Sequence, residues 1–448
     1  MSLTRNGLLV DSTPELKKEL TVRPVENALG MQAPSFKVWR QVHGSNRILV
    51  PRYCRDSPVT KDSRRAPVDA PGINFTGKLR KETMQNEAFD AGVKAFKEKG
   101  GGVLSLPCGF GKTTVALALS SHLKVRTMIV VHKEFLANQW AEKIREFCPT
   151  ATIGRVQGDT FDVEKDFVIA LIQTLCLRPE GDGPKMFARD AFDSIGLVIV
   201  DEAHHIGAPA FSQFMFKVCP RFTLGLTATP ERKDGLTRIL YWFLGPEFFR
   251  VERKNQASTN VTTIHYTCDA FKESPPVTRF GKINMAGMVT AITELEERNA
   301  IIIKTVSAAV ALKRRVLVLS DRREHCFELH KKIGSISGLY VGGMKETDLT
   351  ISSEKPVVIA TFQLAHEGLD IPALDTVILA TPKSDIKQSI GRIMRETPGK
   401  KNDPLIYDIV DHWSVLNSMY RKRCVIYEEG GFVFEPSKSI LVKGKCLF

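Results

Sequence analysis

Residues 101–123 read GGVLSLPCGFGKTTVALALSSHL. The opening "GGVLSLP" is a short apolar run of strand length, "CGFGK" is a tight glycine-containing turn, and "TTVALALSSHL" has the pattern of a helix. A turn that leads from a buried strand into a helix offers backbone N–H groups and the positive end of the helix dipole to an anion. On that reading Lys112 reaches the β- and γ-phosphates of a nucleotide and Thr113 holds Mg²⁺. The generic spacing of such a loop asks for glycine at position 106, where this chain has Leu106. A plain strand-to-helix connection shaped by Gly109 and Gly111 therefore stays open on this stretch alone.

The stretch "LVIVDEAHH", residues 197–205, weighs against the plain connection. It is an apolar strand ending in two acids. Asp201 at such a strand end can coordinate Mg²⁺, and Glu202 is placed to polarise an attacking water as a general base. Alone, the pair would also suit a helix N-cap. Together with a phosphate loop on a neighbouring strand, it reads as a nucleotide-hydrolysing site. His204 and His205 are adjacent and lack the spacing of a zinc motif, so no zinc is expected.

Around these two stretches lie further buried runs, "TMIVV", "FVIALI" and "TLGLTATP", most of them alternating with amphipathic segments such as the helix expected over 81–99. After a less regular stretch at 245–286 the alternation resumes. One long helix is expected over 287–313, "GMVTAITELEERNAIIIKTVSAAVALK", followed by the strands "RVLVLS", "GLYVGG", "PVVIAT", "TVILAT" and "PLIYDIV". Alternation of this kind predicts an α/β fold with parallel sheets covered on both faces. The first 75 residues differ. "ELTVRPV", "FKVWRQV" and "RILVPRY" suggest short strands of a small β-rich accessory domain, followed by a Pro-, Asp- and Arg-rich loop. The expected division is 1–75, 76–255 and 256–448.

The 448 residues, 43% hydrophobic and 25% charged, suit a soluble globular protein with several cores. No apolar run reaches the roughly 18 residues of a membrane span, and "MSLTRNGLLVDST" has no secretion-signal core. Nine scattered cysteines without C-x-x-C pairs point to free thiols in a reducing compartment, cytoplasmic or nuclear. A net charge of +13 favours a polyanionic partner, since basic groups gain by displacing counterions condensed on phosphates; a solubilising surface excess is the competing account. Phe36, Lys37, Trp39, Arg40, Arg52 and Tyr53 could stack on and clamp nucleic acid, or pack within their own strands.

With these residues in view, the chain from about Leu79 to Asp411 resembles the superfamily 2 helicases of the DEAD/DEAH-box type. "PCGFGKT" resembles the family's phosphate loop, which commonly lacks the first glycine; Cys108 stands where Thr is more frequent. "LRKETMQNEA" resembles the adenine-reading segment, with Gln85 as its glutamine. "VVHKEFLANQW" is similar to motif Ia, "ALIQTL" to the next strand-end segment, "DEAH" to motif II and "LTATP" to motif III. "VLVLSDRREH", "IATFQLAHEGLDIPALDTVILATP" and "QSIGRIMRE" resemble motifs IV, V and VI.

The resemblance implies two tandem RecA-like domains of the P-loop NTPase kind. It implies ATP and Mg²⁺ as cofactors, bound by Gln85, Pro107, Cys108, Gly109, Phe110, Gly111, Lys112, Thr113, Thr114, Gly368 and Asp370, with Thr113 and Asp201 on the metal. Lys112, Asp201, Glu202, His204, Gln388, Arg392 and Arg395 become the catalytic set, the two arginines acting as fingers from the second domain. Thr227, Ala228 and Thr229 couple nucleotide state to movement. His132, Lys133, Gln173, Thr174, Thr361, Phe362 and Glu367 hold a nucleic-acid backbone. "TATPERKDGL" and "ELEERNAIIIK" resemble the XPB-type branch, which includes phage and large-DNA-virus helicases, some of them transcript-release enzymes. In that branch DNA, single-stranded, forked or branched, is the usual track, with 3′ to 5′ movement. RNA as the track, and an ATP-gated DNA clamp without turnover, are the alternatives. A monomer is expected, with no membrane partner.

Overall fold

The computed structural model describes residues 1–25, 34–55, 58–107, 109–176, 187, 190–205, 208–228, 235–251, 259–367, 369, 371–393, 402–434 and 440–444. The chain forms two compact units, Met1–Glu252 and Arg253–Phe448. Among the described residues no helix is long and apolar enough to cross a membrane.

The first unit is built on an eight-stranded sheet. Its order is Thr160–Phe161, Ile153–Gln157, Phe167–Leu171, Thr127–Val131, Leu197–Val200, Phe222–Thr227, Gly101–Ser105, Glu247–Arg250. All neighbours are parallel except the Thr160–Phe161 edge strand. Successive residues enter opposite cores. Val198 and Val200 join one cluster, while Leu197 and Ile199 join the other. Burial on both faces is why these strands read as unbroken apolar runs rather than alternating ones.

The second unit repeats the plan in the order Ser337–Tyr340, Val357–Thr361, Val316–Ser320, Thr376–Leu379, Leu405–Asp411, Asn260–Cys268, Val433–Phe434, with Ile440–Gly444 also pairing to Asn260–Cys268. Leu317 and Leu319 face one core, Val316 and Val318 the other. This is the expected α/β architecture of two tandem parallel-sheet, RecA-like domains.

Three local expectations change. The single helix over 287–313 is two, Met285–Glu294 and Glu296–Ala311, broken at Leu295, which is extended at φ −72°, ψ 107°. The break lets Asn299 Nδ2 donate to Thr293 O at 2.8 Å and turns Arg298 onto Asp411. The helix expected over 81–99 begins at Gln85, because Met84 is left-handed at φ +53°. The N-terminal strands are shorter than expected: Thr21–Val22, Phe36–Lys37, Arg40–Gln41 and Arg47–Val50.

Several of the N-terminal aromatic and basic residues are engaged in packing. A five-stranded sheet of Arg40–Gln41, Arg47–Val50, Gly7–Asp11, Ser2–Thr4 and Lys61–Asp62 lies against the first α/β core, and Val22 and Val38 belong to that core. Arg52 donates to the carbonyls of Arg221 at 2.7 Å and Pro220 at 3.2 Å. Tyr53 OH meets Thr223 Oγ1 at 3.0 Å, and Arg40 donates to Gln213 O at 3.0 Å. Phe36 packs on the same core. These four residues join the N-terminal sheet to the α/β body. The ammonium groups of Lys17 and Lys37 lie 4.9 and 5.0 Å from the centre of the Trp39 ring.

Candidate active site

The strand Gly101–Ser105 delivers the phosphate loop to the end of the first sheet. Leu106, the residue that breaks the generic pattern, is wholly buried. Its N–H donates to Thr227 O at 3.1 Å and its carbonyl accepts from Lys112 Nζ at 3.2 Å. Position 106 thus ties the loop to the motif III strand, a use of the backbone that needs no glycine. Gly109 and Gly111 are left-handed, at φ +87° and +81°. A Cβ at Gly111 would also lie 2.4 Å from Gln85 Nε2, so both conformation and space demand glycine there.

The helix Lys112–Leu123 starts directly after the loop. Its first turn carries Lys112, Thr113 and Thr114, whose N–H groups have no partner within the helix and suit an anion. Gln85 is buried against this loop. Its Oε1 accepts from Arg80 N at 2.9 Å and its Nε2 donates to Phe110 O at 2.8 Å. Pro107 O accepts from Phe110 N at 3.3 Å. Cys108 lies outside the described residues.

The acidic pair sits two strands away, after Leu197–Val200. Glu202 is a non-glycine residue at φ +44°, a sparsely populated conformation that costs energy and turns its side chain back toward the loop. Its Oε1 lies 3.7 Å from Lys112 Nζ, and its N–H donates to Asp201 Oδ1 at 2.9 Å. His204 Nδ1 is 3.5 Å from Glu202 Oε2 and 2.8 Å from Thr227 Oγ1. A continuous web therefore links Lys112, Glu202, His204 and Thr227 across the ends of three strands. Ala228 follows at the exit of the third; Thr229 lies outside the described residues.

Asp201 is buried. Desolvation, then repulsion from Glu202, pushes its carboxyl up to about 6, against the opposing effects of Trp140 and Lys112. Trp140 escaped the reading of the sequence. It projects from the helix Glu134–Phe147 and its Nε1 donates to Asp201 Oδ2 at 2.8 Å. A buried indole N–H needs an acceptor, which is the signal that could have drawn attention to it. The donor holds one carboxylate oxygen and fixes the direction of the other. Trp140→Phe keeps the ring packing and removes the donor. If Asp201 holds Mg²⁺, the Mg²⁺ concentration for half-maximal ATP turnover is expected to rise about tenfold, as for other lost hydrogen bonds behind a metal ligand. A magnesium titration of ATPase activity measures it, and an unchanged midpoint removes Trp140 from this role.

The nucleic-acid candidates of the first unit gather at the same strand ends. Gln173 Nε2 donates to His132 O at 2.7 Å, joining the segments that follow Thr127–Val131 and Phe167–Leu171. Lys133 is beside them, its ammonium pKa lowered by partial burial. Thr174 is turned inward, its Oγ1 accepting from Gly158 N at 3.1 Å. In the second unit Thr361 ends its strand and its Oγ1 accepts from Leu364 N at 3.4 Å.

Phe362 departs from the expected contact. It is 1% exposed within a core cluster, because the helix Phe362–Glu367 turns its first side chain under the sheet. Its ring is therefore packed in the core and is not open to stack on a base. Gly368, Asp370 and Arg395, and the side chains of Glu367, Gln388 and Arg392, lie outside the described residues. Gln388 and Arg392 fall on the helix Lys387–Ile393.

A family model described as the Type III restriction enzyme res subunit matches residues 78–232. The chain is 31% identical over 443 residues to L396 of Acanthamoeba polyphaga mimivirus, named as an ATP-dependent RNA helicase, covering 94% of this chain and 82% of that protein. It is 26% identical over 395 residues to helicase D10 of Escherichia phage T5, covering 84% and 81%. Among solved structures T4 UvsW aligns over 85% of this chain and 79% of its own, at 16% identity and a TM-score of 0.33, an overlay too loose to carry an argument.

Proposed function

Because the chain belongs to the superfamily 2 helicases of the large-DNA-virus and phage type, we propose that its ATP-dependent activity drives 3′ to 5′ movement along one strand of DNA. Duplex, forked or branched DNA is then unwound or remodelled. The observation that carries hydrolysis, over a clamp without turnover, is the web of Lys112, Glu202, His204 and Thr227 beside Asp201. Lys112 and the first turn of its helix bind phosphate. Glu202 takes the proton of the attacking water, and His204 passes its position to the motif III strand through Thr227.

The donor set fits magnesium. Asp201 is a carboxylate whose pKa is raised first by burial and then by the charge of Glu202 beside it, and Thr113 sits at the helix start; a hard cation that keeps water and phosphate oxygens needs few protein ligands. Bound there, Mg²⁺ would neutralise charge on the phosphate oxygens. The roles of Gln388, Arg392, Arg395, Gly368, Asp370 and Glu367 rest on the motif resemblance alone.

The preference for DNA and the direction rest on the likeness of "TATPERKDGL" and "ELEERNAIIIK" to the XPB-type branch. An RNA-directed or transcript-releasing ATPase is the second reading, favoured by the name of the mimivirus relative. A monomer acting in the cytoplasm or nucleus of a host cell completes the proposal. ATP hydrolysis compared across single-stranded DNA, duplex DNA, forked DNA and RNA decides the track. Forked and single-stranded DNA are expected to stimulate most; stimulation by RNA alone would overturn the DNA reading.

A further inference from the structure

Between the strand Asn260–Cys268 and the helix Met285–Glu294 the chain makes a small projection that none of the motifs includes. Val277 and Ile283 pair in an antiparallel bridge. Thr278 N donates to Lys282 O at 2.6 Å and Gly281 N to Thr278 O at 2.9 Å, with Gly281 at φ +72° closing the turn. At its tip Phe280 is 74% exposed, and the Arg279 guanidinium lies 4.8 Å from the ring centroid. Val277 and Lys282 are exposed on the stem.

A single exposed phenylalanine needs no explanation. Three features set this one apart. Its backbone is held by hydrogen bonds, so the ring is presented at little entropic cost on contact. Cations adjoin it, as suits a polyanion. The third feature is its placement. The strands Asn260–Cys268, Val316–Ser320, Val357–Thr361 and Leu405–Asp411 lie parallel in one sheet, so their C-terminal ends share one edge. The hairpin leaves that edge, which also carries Thr361 and Arg322.

The base of the hairpin is braced there. Asn284 N donates to Pro276 O at 2.7 Å, and Asn284 Oδ1 caps the following helix by accepting from Gly287 N at 3.0 Å. Arg322, in the motif IV segment, donates to Ala286 O at 2.8 Å and Thr290 Oγ1 at 3.1 Å on that helix. Upstream, Phe271 stacks on Trp413 with centroids 5.2 Å apart, and Trp413 Nε1 donates to Glu273 O at 3.3 Å.

We propose that the 277–283 hairpin is a base-stacking pin. Phe280 stacks its uncovered face on a nucleobase where duplex meets single strand, and Arg279 and Lys282 lie along the adjoining phosphates. Stacking on an aromatic ring tolerates any base, which suits an enzyme that moves through sequence without reading it. Bracing by Arg322 ties the pin to motif IV, so a base held at the tip is held at a fixed distance from Thr361. The proposal rests on the helicase reading.

The test uses the full-length protein and fluorescence-monitored unwinding of a forked DNA duplex. Phe280→Ala is expected to lower the number of base pairs opened per ATP hydrolysed by about tenfold, the scale of one lost base-stacking contact. Phe280→Trp is expected to restore the ratio and, against the background of the chain's 4 tryptophans, to add emission that forked DNA quenches. A wild-type ratio in Phe280→Ala would overturn the pin. So would added emission unmoved by both forked DNA and forked RNA. The emission measurement needs no turnover, so it decides the pin even if nucleic acid fails to stimulate hydrolysis by the wild-type protein, the result that would sink the helicase reading instead.

Discussion

Replacing Glu202 by Gln is expected to lower ATP turnover by about 10²- to 10⁴-fold, the range attributable to a positioned general base, with nucleotide binding retained. Glutamine has the same shape and keeps a hydrogen-bonding oxygen, so the strained turn at φ +44° and the packing beside His204 are retained. It loses the charge that faces Lys112 at 3.7 Å and the capacity to accept a proton. On the proposed reading, binding depends on Lys112 and the helix N-terminus, which the substitution leaves in place, and removal of a carboxylate 3.7 Å from Lys112 favours an anionic ligand. Single-turnover hydrolysis together with titration of a fluorescent ATP analogue separates the two effects. Hydrolysis that survives at the wild-type rate would remove Glu202 as the base.

The second large effect concerns stability. Arg298 and Asp411 are both wholly buried and paired through two short contacts, Nε to Oδ1 at 2.6 Å and Nη2 to Oδ2 at 2.8 Å. Arg298→Ala or Asp411→Ala strands one charge in the core, and each is expected to cost about 3–5 kcal/mol. The paired replacement Arg298→Met with Asp411→Leu is expected to recover most of that loss, because neither member of the pair is then left as an unpaired buried charge. Urea unfolding of the full chain reads both. Equal destabilisation by the single and paired replacements would show that the site needs the ion pair itself.

The neighbouring residues form a relay that depends on the same helix. Asn299 Nδ2 donates to Thr293 O, so its Oδ1 is left to accept from His325 Nε2 at 2.9 Å. His325 Nδ1 then accepts from Ser320 Oγ at 3.0 Å, and Ser320 Oγ accepts from Arg322 N at 3.1 Å. Burial, then the charges of Arg298 and Lys332, hold the His325 pKa down to about 3, so the ring stays neutral and the direction of the relay is constant near neutral pH. "ELEERN" and "LSDRREH" stand on successive elements of the chain, and one polar network sets both.

Much of the fold was legible because the physics is local. A strand buried on both faces needs a continuous apolar run, and a phosphate loop needs glycine where the backbone turns left-handed, as at Gly109 and Gly111. The order of such segments specifies a parallel α/β plan. The candidate ATP site was legible for the same reason: Lys112, Asp201 and Glu202 each stand at the end of a recognisable strand or the start of its helix.

The sequence by itself therefore determined the two parallel-sheet domains, the phosphate loop and the acidic pair. Tertiary structure alone decided the choices that depend on a distant partner. Trp140 became Asp201's hydrogen-bond donor because two elements packed together. Arg52 and Tyr53 became a seam because carbonyls and a hydroxyl of the α/β body lay opposite. Phe362 went into the core while Phe280 stayed out, although both are phenylalanines near basic residues. The helix broke at Leu295, and the break turns Arg298 onto a buried aspartate remote in sequence. A side chain's type limits what it can do, but burial and partner geometry select among those possibilities, and both are set by residues remote in sequence.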